Sequence, residues 1–370
     1  MGYLPDGWRN RHLQAAQAVR WQRGAFYFAL KTGGTFRFQS ASGEDSLINA
    51  GYRRSMKLIL LPYLPPWTWS QFHQHFALRL LPSVETLDSD RYSRTVRIGD
   101  RAGWISVRPL PAQACLELML SDSLHDHAAE LALRVRKMFD LDNDPAIVAR
   151  HFSADPLLGP LIATSPGLRL PSAFDPFEQA VRAIVGQQVT VKAAVTITRR
   201  LVERLGNELA QTPPNEAGGL LRLFPTPQAI AGAQLDKIGM PGKRVATLQY
   251  LAAAVAEGAL ELHVDNGVDE LVSRLCELPG IGPWTAQYIA LRGFGEADAF
   301  PVADLGLLKA PMWGSGGISA RELLARSQAW RPWRAYAAVH IWQNYGSAMT
   351  DPKQRQLKAV ESSPVLAVGR

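Results

Sequence analysis

The sequence predicts an α+β protein, a small antiparallel sheet-plus-helix domain followed by a larger all-helical region. Three observations carry that prediction. Between residues 95 and 120 apolar residues recur at every second position: Val96 and Ile98, then Ile105 and Val107, then Leu116, Leu118 and Leu120. That is the period of strands with one buried face. Beyond Pro156 the alternation gives way to helical spacing, cut into lengths by proline, glycine and capping residues. Finally, Val268, Leu271, Val272 and Leu275 precede Leu278-Pro-Gly-Ile-Gly282, and Tyr288, Ile289 and Leu291 follow it. Two helices therefore flank a glycine-containing hairpin.

In chain order, residues 1–55 hold eight basic and three acidic residues, the Gly33-Gly34 pair and a Ser/Gly-rich stretch over 40–46, with little periodicity. They read as a basic, disordered extension. Alternatively the natural start is Met56, which opens the compact apolar run Met56-Lys-Leu-Ile-Leu-Leu61. Residues 56–150 form the mixed domain: that run, the alternating strands with a turn over 99–103, and a helix over 124–139. Residues 151–350 form the helical region. Asp175-Pro-Phe-Glu178 is a capping box with proline at the first helical position, opening a helix that runs to Val185. Thr190 starts a helix closed by Gly206, Thr226-Pro227 opens another, and one from Gly242 stops at Gly258. Ser319-Ala-Arg-Glu322 is a second capping box, and Pro332 begins a last helix that ends at Gly346. Residues 351–370 read as a tail.

Composition excludes several classes. The 370 residues are 47% hydrophobic and 20% charged, ordinary for a globular chain of two or three domains. No apolar run reaches the ~18 residues of a membrane span. Two cysteines, Cys115 and Cys276, supply neither a disulfide framework nor a four-thiolate zinc or iron–sulfur site. The net charge of +7 is concentrated in residues 1–55, which carry +5 of it, so the bulk charge says little about an anionic partner.

Local chemistry says more. Gly280 and Gly282 let the hairpin backbone turn tightly, with the amides of the second helix's first turn, Thr285 among them, facing outward; such a nest holds a phosphate without reading sequence. Twenty residues after Trp284 comes Phe300-Pro-Val-Ala-Asp304. Asp304 suits two roles, the N-cap of a short helix over 305–310 and a carboxylate facing developing positive charge. Trp284, Tyr288 and Trp342 are either core aromatics or a π-rich pocket. His73 and His75 are either a metal pair or packing groups; with no cysteine or further histidine nearby, packing is expected.

The hairpin, the following glycine- and proline-containing loop and Asp304 resemble the helix-hairpin-helix superfamily of DNA base-excision glycosylases, and within it the bacterial 3-methyladenine DNA glycosylase II (AlkA) type. That resemblance also rests on Leu168-Arg-Leu-Pro171, on Asp175-Pro-Phe-Glu-Gln-Ala-Val-Arg-Ala-Ile-Val-Gly-Gln187, on Phe224-Pro-Thr-Pro227, on Gly239-Met-Pro241 with Lys243-Arg244, and on His340-Ile-Trp342. Ser83-Val-Glu85 and Phe139-Asp-Leu141 carry it into the mixed domain, so that it spans about 65–345. It implies a monomeric, cytoplasmic enzyme that acts on nucleoid DNA, needs no cofactor and has no membrane attachment. The enzyme flips an alkylated base of the 3-methyladenine or 7-methylguanine type out of double-stranded DNA and hydrolyses its N-glycosidic bond.

By the same resemblance Asp304 is the catalytic carboxylate, and Trp284, Tyr288, Trp342 and His75 line the base pocket. Gln188 is the wedge left in the duplex, and Gly280, Gly282 and Thr285 bind phosphate. Backbone carbonyls of Cys276, Leu278 and Ile281 hold a structural Na+ or K+. Trp284 stands where backbone-cutting relatives carry a lysine, which implies no lyase activity. The chain departs from the family at His75, usually aromatic, at Gln188, usually an apolar wedge, and at Ala303 and Leu305, usually acidic and aromatic. It also lacks the four cysteines of the methyl-acceptor domain found beside some such enzymes. Two other classes remain: a non-enzymatic hairpin protein that only binds DNA, which needs neither Asp304 nor the aromatics, and a glycosylase of different base specificity.

Overall fold

The computed structural model describes residues 57–210 and 219–350, together with the backbone of 35–39 and 45–49. The latter are two strands, β1 (Thr35–Gln39) and β2 (Asp45–Asn49), paired antiparallel. Ten residues of the extension expected to be disordered are thus paired strand, which its weak apolar periodicity did not announce. The rest of the extension, Met56 and the 351–370 tail lie outside the described residues.

The mixed domain is a five-stranded antiparallel sheet in the order β3-β7-β6-β5-β4, formed by β3 (Lys57–Pro62), β4 (Glu85–Leu87), β5 (Tyr92–Ile98), β6 (Arg101–Leu110) and β7 (Cys115–Leu120). Between β3 and β4 runs α1 (Trp69–Ala77), and α2 (Ala128–Met138) follows β7. One face of the sheet packs with α1 and α2 around Ile59, Leu61, Phe72, Phe76, Tyr92, Ile105, Leu118 and Phe139. The alternation predicted one buried face, but β5 is buried on both. Chain returning from the helical region covers the second face, where Leu209, Leu220 and Leu223 pack on Trp104 and the Thr95 hydroxyl donates to the Arg222 carbonyl at 2.8 Å.

The helical region comprises α3 (Pro145–Phe152), α4 (Leu158–Thr164), α5 (Pro176–Val185), α6 (Val191–Leu205), α7 (Pro227–Ala231), α8 (Gly242–Ala256), α9 (Val268–Cys276), α10 (Pro283–Phe294), α11 (Leu305–Leu308), α12 (Ala320–Ser327) and α13 (Arg334–Thr350). Its separate core runs from Val148 to Ile341. A boundary at 150 therefore cuts through α3, whose Val148 and Phe152 belong to the second core. The helix starts follow the capping logic: Asp175, Thr190, Thr226, Asp304 and Ser319 each accept a first-turn amide. The box at Ser319 is reciprocal. At Asp175 only half forms, because the Glu178 carboxylate turns into the domain junction to meet Arg94 at 2.5 Å and Arg182 at 2.6 Å.

Candidate active site

α10, the second helix of the hairpin, forms one wall of a cleft of about 1430 Å³ that is also lined by α1, α5, α6, α13 and the Asp304 loop. Gly280 sits at φ +87°, and a Cβ there would lie 2.0 Å from the Thr247 hydroxyl of α8. This turn therefore needs glycine for its backbone and for its neighbour. Gly282 has no such neighbour within 4 Å; its bare backbone leaves the start of α10 open to solvent. Pro283 occupies the first position of α10, where its missing N–H costs nothing, and the next amides remain as donors at the positive end of the helix dipole.

The Thr285 side chain is buried and its hydroxyl accepts Gln187 Nε2 at 3.1 Å, while its amide, in the first turn of α10, remains as a donor for a phosphate. The same Gln187 nitrogen donates to the Gly280 carbonyl at 3.1 Å. Gln187, adjacent to the predicted wedge, thus straps the end of α5 to the hairpin, a role nothing in the local pattern announces. Gln188 is exposed on the cleft rim at φ +56°, between cleft-lining Gly186 and the exposed Val189 and Val191.

On the inner wall Trp284 and Tyr288, one helical turn apart on α10, stack at 5.4 Å with ring planes 12° apart. Tyr288 meets Trp342 of α13 edge-on at 6.3 Å. Trp342 Nε1 donates to Asp304 Oδ1 at 2.7 Å, and the same oxygen caps α11 by accepting the Leu307 amide at 3.2 Å. Asp304 Oδ2 accepts no hydrogen bond among the described residues, and the side chain is half-buried in the cleft wall. Capping thus occupies one oxygen and leaves the other free. The approach of Trp342 depends on Gly306, where a Cβ would lie 3.0 Å from the indole Cδ1 and 3.1 Å from Asp304 Oδ1.

The largest element missed by sequence reasoning is a cationic one. Arg292, buried on α10, places its guanidinium 4.8 Å over the Trp342 ring and donates to the Pro171 carbonyl at 2.9 Å, while its Nε has no partner. Burial holds its pKa down at about 10, opposed by the nearby Tyr288 hydroxyl and Asp304 carboxylate. Its spacing from Tyr288 repeats that of Tyr288 from Trp284, and could have marked it as a resident of the same face. His75 and His73 both line the cleft, and among the described residues no group of three or more His, Cys, Asp or Glu is placed to hold a metal. Burial lowers the His75 pKa well below its usual value, reinforced by Arg79, Arg292 and Arg182. At the turn expected to hold a monovalent cation, the Leu278 carbonyl accepts the Ile281 amide at 3.1 Å.

Residues 58–175 match the family model of the AlkA N-terminal domain, and residues 181–333 that of the HhH-GPD superfamily of base excision DNA repair proteins. The chain is 37% identical over 289 residues to DNA-3-methyladenine glycosylase 2 of Escherichia coli, covering 77% of this chain and 97% of that protein. It is 34% identical to a Mycobacterium tuberculosis protein named as a probable bifunctional transcriptional activator/DNA repair enzyme AlkA, across 85% of this chain but 60% of that relative's length. A solved 3-methyladenine DNA glycosylase from Archaeoglobus fulgidus shares the fold, with a TM-score of 0.64 at 21% identity over 77% of this chain and 97% of that one.

Proposed function

Because the chain belongs to the DNA-3-methyladenine glycosylase 2 family of helix-hairpin-helix base excision repair proteins, we propose that its cleft excises alkylated bases from double-stranded DNA, and does so without cutting the backbone. It is an N-glycosylase that binds DNA. The open amides at the start of α10 suit a backbone phosphate, and Gln188 on the rim suits the gap left by an extruded nucleotide. The Trp284–Tyr288 stack and the Trp342 edge offer π-surface to an electron-poor base.

The observation that carries the mechanism is the division of labour within Asp304. Oδ1 is fixed by Trp342 and the α11 cap, which leaves Oδ2 oriented for the sugar. As the C1′–N bond breaks its electron pair leaves with the base, and the carboxylate stabilises the oxocarbenium charge on the sugar. Water supplies the hydroxyl to C1′ and the proton that balances the base. No lysine lines the cleft among the described residues, and Lys309 Nζ reaches the Gly316 carbonyl instead, which supports hydrolysis over Schiff-base chemistry. None of these steps calls for a cofactor. A Na+ or K+ on the Cys276, Leu278 and Ile281 carbonyls would act on the hairpin alone, and the enzyme would work as a monomer in the bacterial cytoplasm.

The test is Asp304→Asn. Asparagine keeps an oxygen for the cap and for Trp342 but removes the charge at the second position. Excision of 3-methyladenine should fall by roughly 10²–10³, with lesion-DNA binding and melting temperature near wild type. Retained activity would reduce Asp304 to a cap. Wild-type protein should leave an intact abasic strand and no borohydride-trapped adduct.

A further inference from the structure

We propose that His75 is a specificity-determining residue, whose imidazole N–H donates a hydrogen bond to the flipped base and so favours lesions that carry a ring carbonyl. The proposal rests on the glycosylase reading above. α1 divides its surface between two tasks: Phe72 and Phe76 enter the sheet core, whereas His75 lies on the cleft side, joined there by Arg79 just past the helix end. The His75 ring makes no hydrogen bond to any described residue. Its recorded contact is edge-on packing against Phe76 at 5.6 Å. A polar ring placed in a cleft wall without a partner is available to a ligand.

The charged groups facing it decide which end it offers. Arg79, two residues past the end of α1, donates back to the His75 carbonyl at 3.2 Å; Arg182 comes from α5 and Arg292 from α10. Arg182 is neutralised by Glu85 at 3.0 Å and Glu178 at 2.6 Å. Arg79 and Arg292 have no ion-pair partner among the described residues. The remaining titratable cleft groups, Asp304, Tyr288, Tyr345 and His73, include one carboxylate. Protonating His75 would add a further cation beside these guanidiniums, so the ring stays neutral. A neutral imidazole has one lone-pair nitrogen and one N–H. Guanidiniums donate and do not accept, so of the two ring nitrogens only the lone-pair one can bond to them, and the N–H is the group left for a ligand. The matching group on a base is a carbonyl oxygen, present on hypoxanthine and absent from 3-methyladenine.

The experiment compares single-turnover release of hypoxanthine and of 3-methyladenine from otherwise identical duplexes. The proteins are wild type, His75→Phe, which keeps an aromatic ring without a donor, and His75→Gln, which keeps an N–H. One hydrogen bond of this kind is worth about tenfold. The hypoxanthine-to-3-methyladenine ratio should therefore fall about tenfold in H75F and be largely restored in H75Q. Melting temperatures of the variants separate misfolding from altered recognition. An unchanged ratio in H75F, or an equal fall in H75F and H75Q, would overturn the proposal. Wild-type protein that releases neither base would overturn the glycosylase reading and this proposal with it.

Discussion

Asp304 is legible as a cap from the residues around it and as a catalytic group from its distance to the hairpin, and the two roles are compatible, but how one carboxylate divides them is not legible. That compatibility depends on which oxygen does which task, and on Gly306 two residues later. A Cβ at Gly306 falls between Trp342 and Asp304 Oδ1, so Gly306→Ala should push the indole away and loosen the carboxylate it holds. The contacts are tight rather than impossible, so a fall in excision of about tenfold is expected, the loss of one charge-assisted hydrogen bond. Lesion-DNA affinity should change less. Full activity in G306A would mean that the Trp342 bond does not position Asp304. Gly306 carries no signal of its own in the sequence, since its φ is unexceptional and its partner lies 36 residues downstream. Arg292 was hidden for a different reason: an arginine near the end of a helix reads as a solvated, dipole-compensating charge, and only tertiary packing turns it inward.

Elements with strong local signals were legible. The strands β5, β6 and β7, the helices opened by Asp175, Thr190 and Thr226, and the hairpin all carry their periodicity or caps in a few residues. β4, three residues long, and α4, which lacks a capping side chain, carry neither. The wedge loop is the clearest case of partial legibility. Gln188 was placed by its position after the α5 motif, whereas the Gln187 strap to Gly280 and Thr285 could be seen only in the folded chain. With the strap holding the loop against the hairpin, Gln188 projects from a backbone fixed at φ +56°. If it enters the duplex, Gln188→Ala should weaken binding to a lesion-bearing duplex more than to an abasic one, where no base has to be unstacked. Unstacking costs a few kcal/mol, so a difference of roughly tenfold between the two dissociation constants is expected. Equal losses on both would place Gln188 outside the helix stack.

At the scale of the molecule, two cores are joined by buried polar groups that local patterns do not reveal. Glu85 and Arg94 of the sheet meet Glu178 and Arg182 of α5. Arg169 donates to the carbonyls of Leu64, Pro66, Asp140 and Asn143. Asp140, at the end of the mixed domain, accepts the Leu170 amide at 2.9 Å and the Tyr336 hydroxyl of α13 at 2.9 Å. Burial nevertheless dominates and pushes its carboxyl up from 3.8 to about 6. A raised folded-state pKa means that the fold prefers the protonated acid: that contribution is present below pH 4 and is lost as pH rises through 6. His340, buried on α13, behaves in the opposite sense, because burial lowers it from 6.5 to about 4. Its contribution is present above pH 6.5 and is lost as pH falls through that window. Each is worth about 3 kcal/mol, so between pH 4 and 6.5 the two slopes nearly cancel. Removing one should expose the other. Relative to wild type, Asp140→Asn should gain about 3 kcal/mol of stability between pH 4 and 7, and His340→Leu should lose about as much over the same range. Urea unfolding of the three proteins at several pH values measures both differences, with groups common to all three cancelling. A pH-independent offset for D140N would mean that the Tyr336 and Leu170 bonds keep this carboxylate charged, and that the domain junction does not titrate.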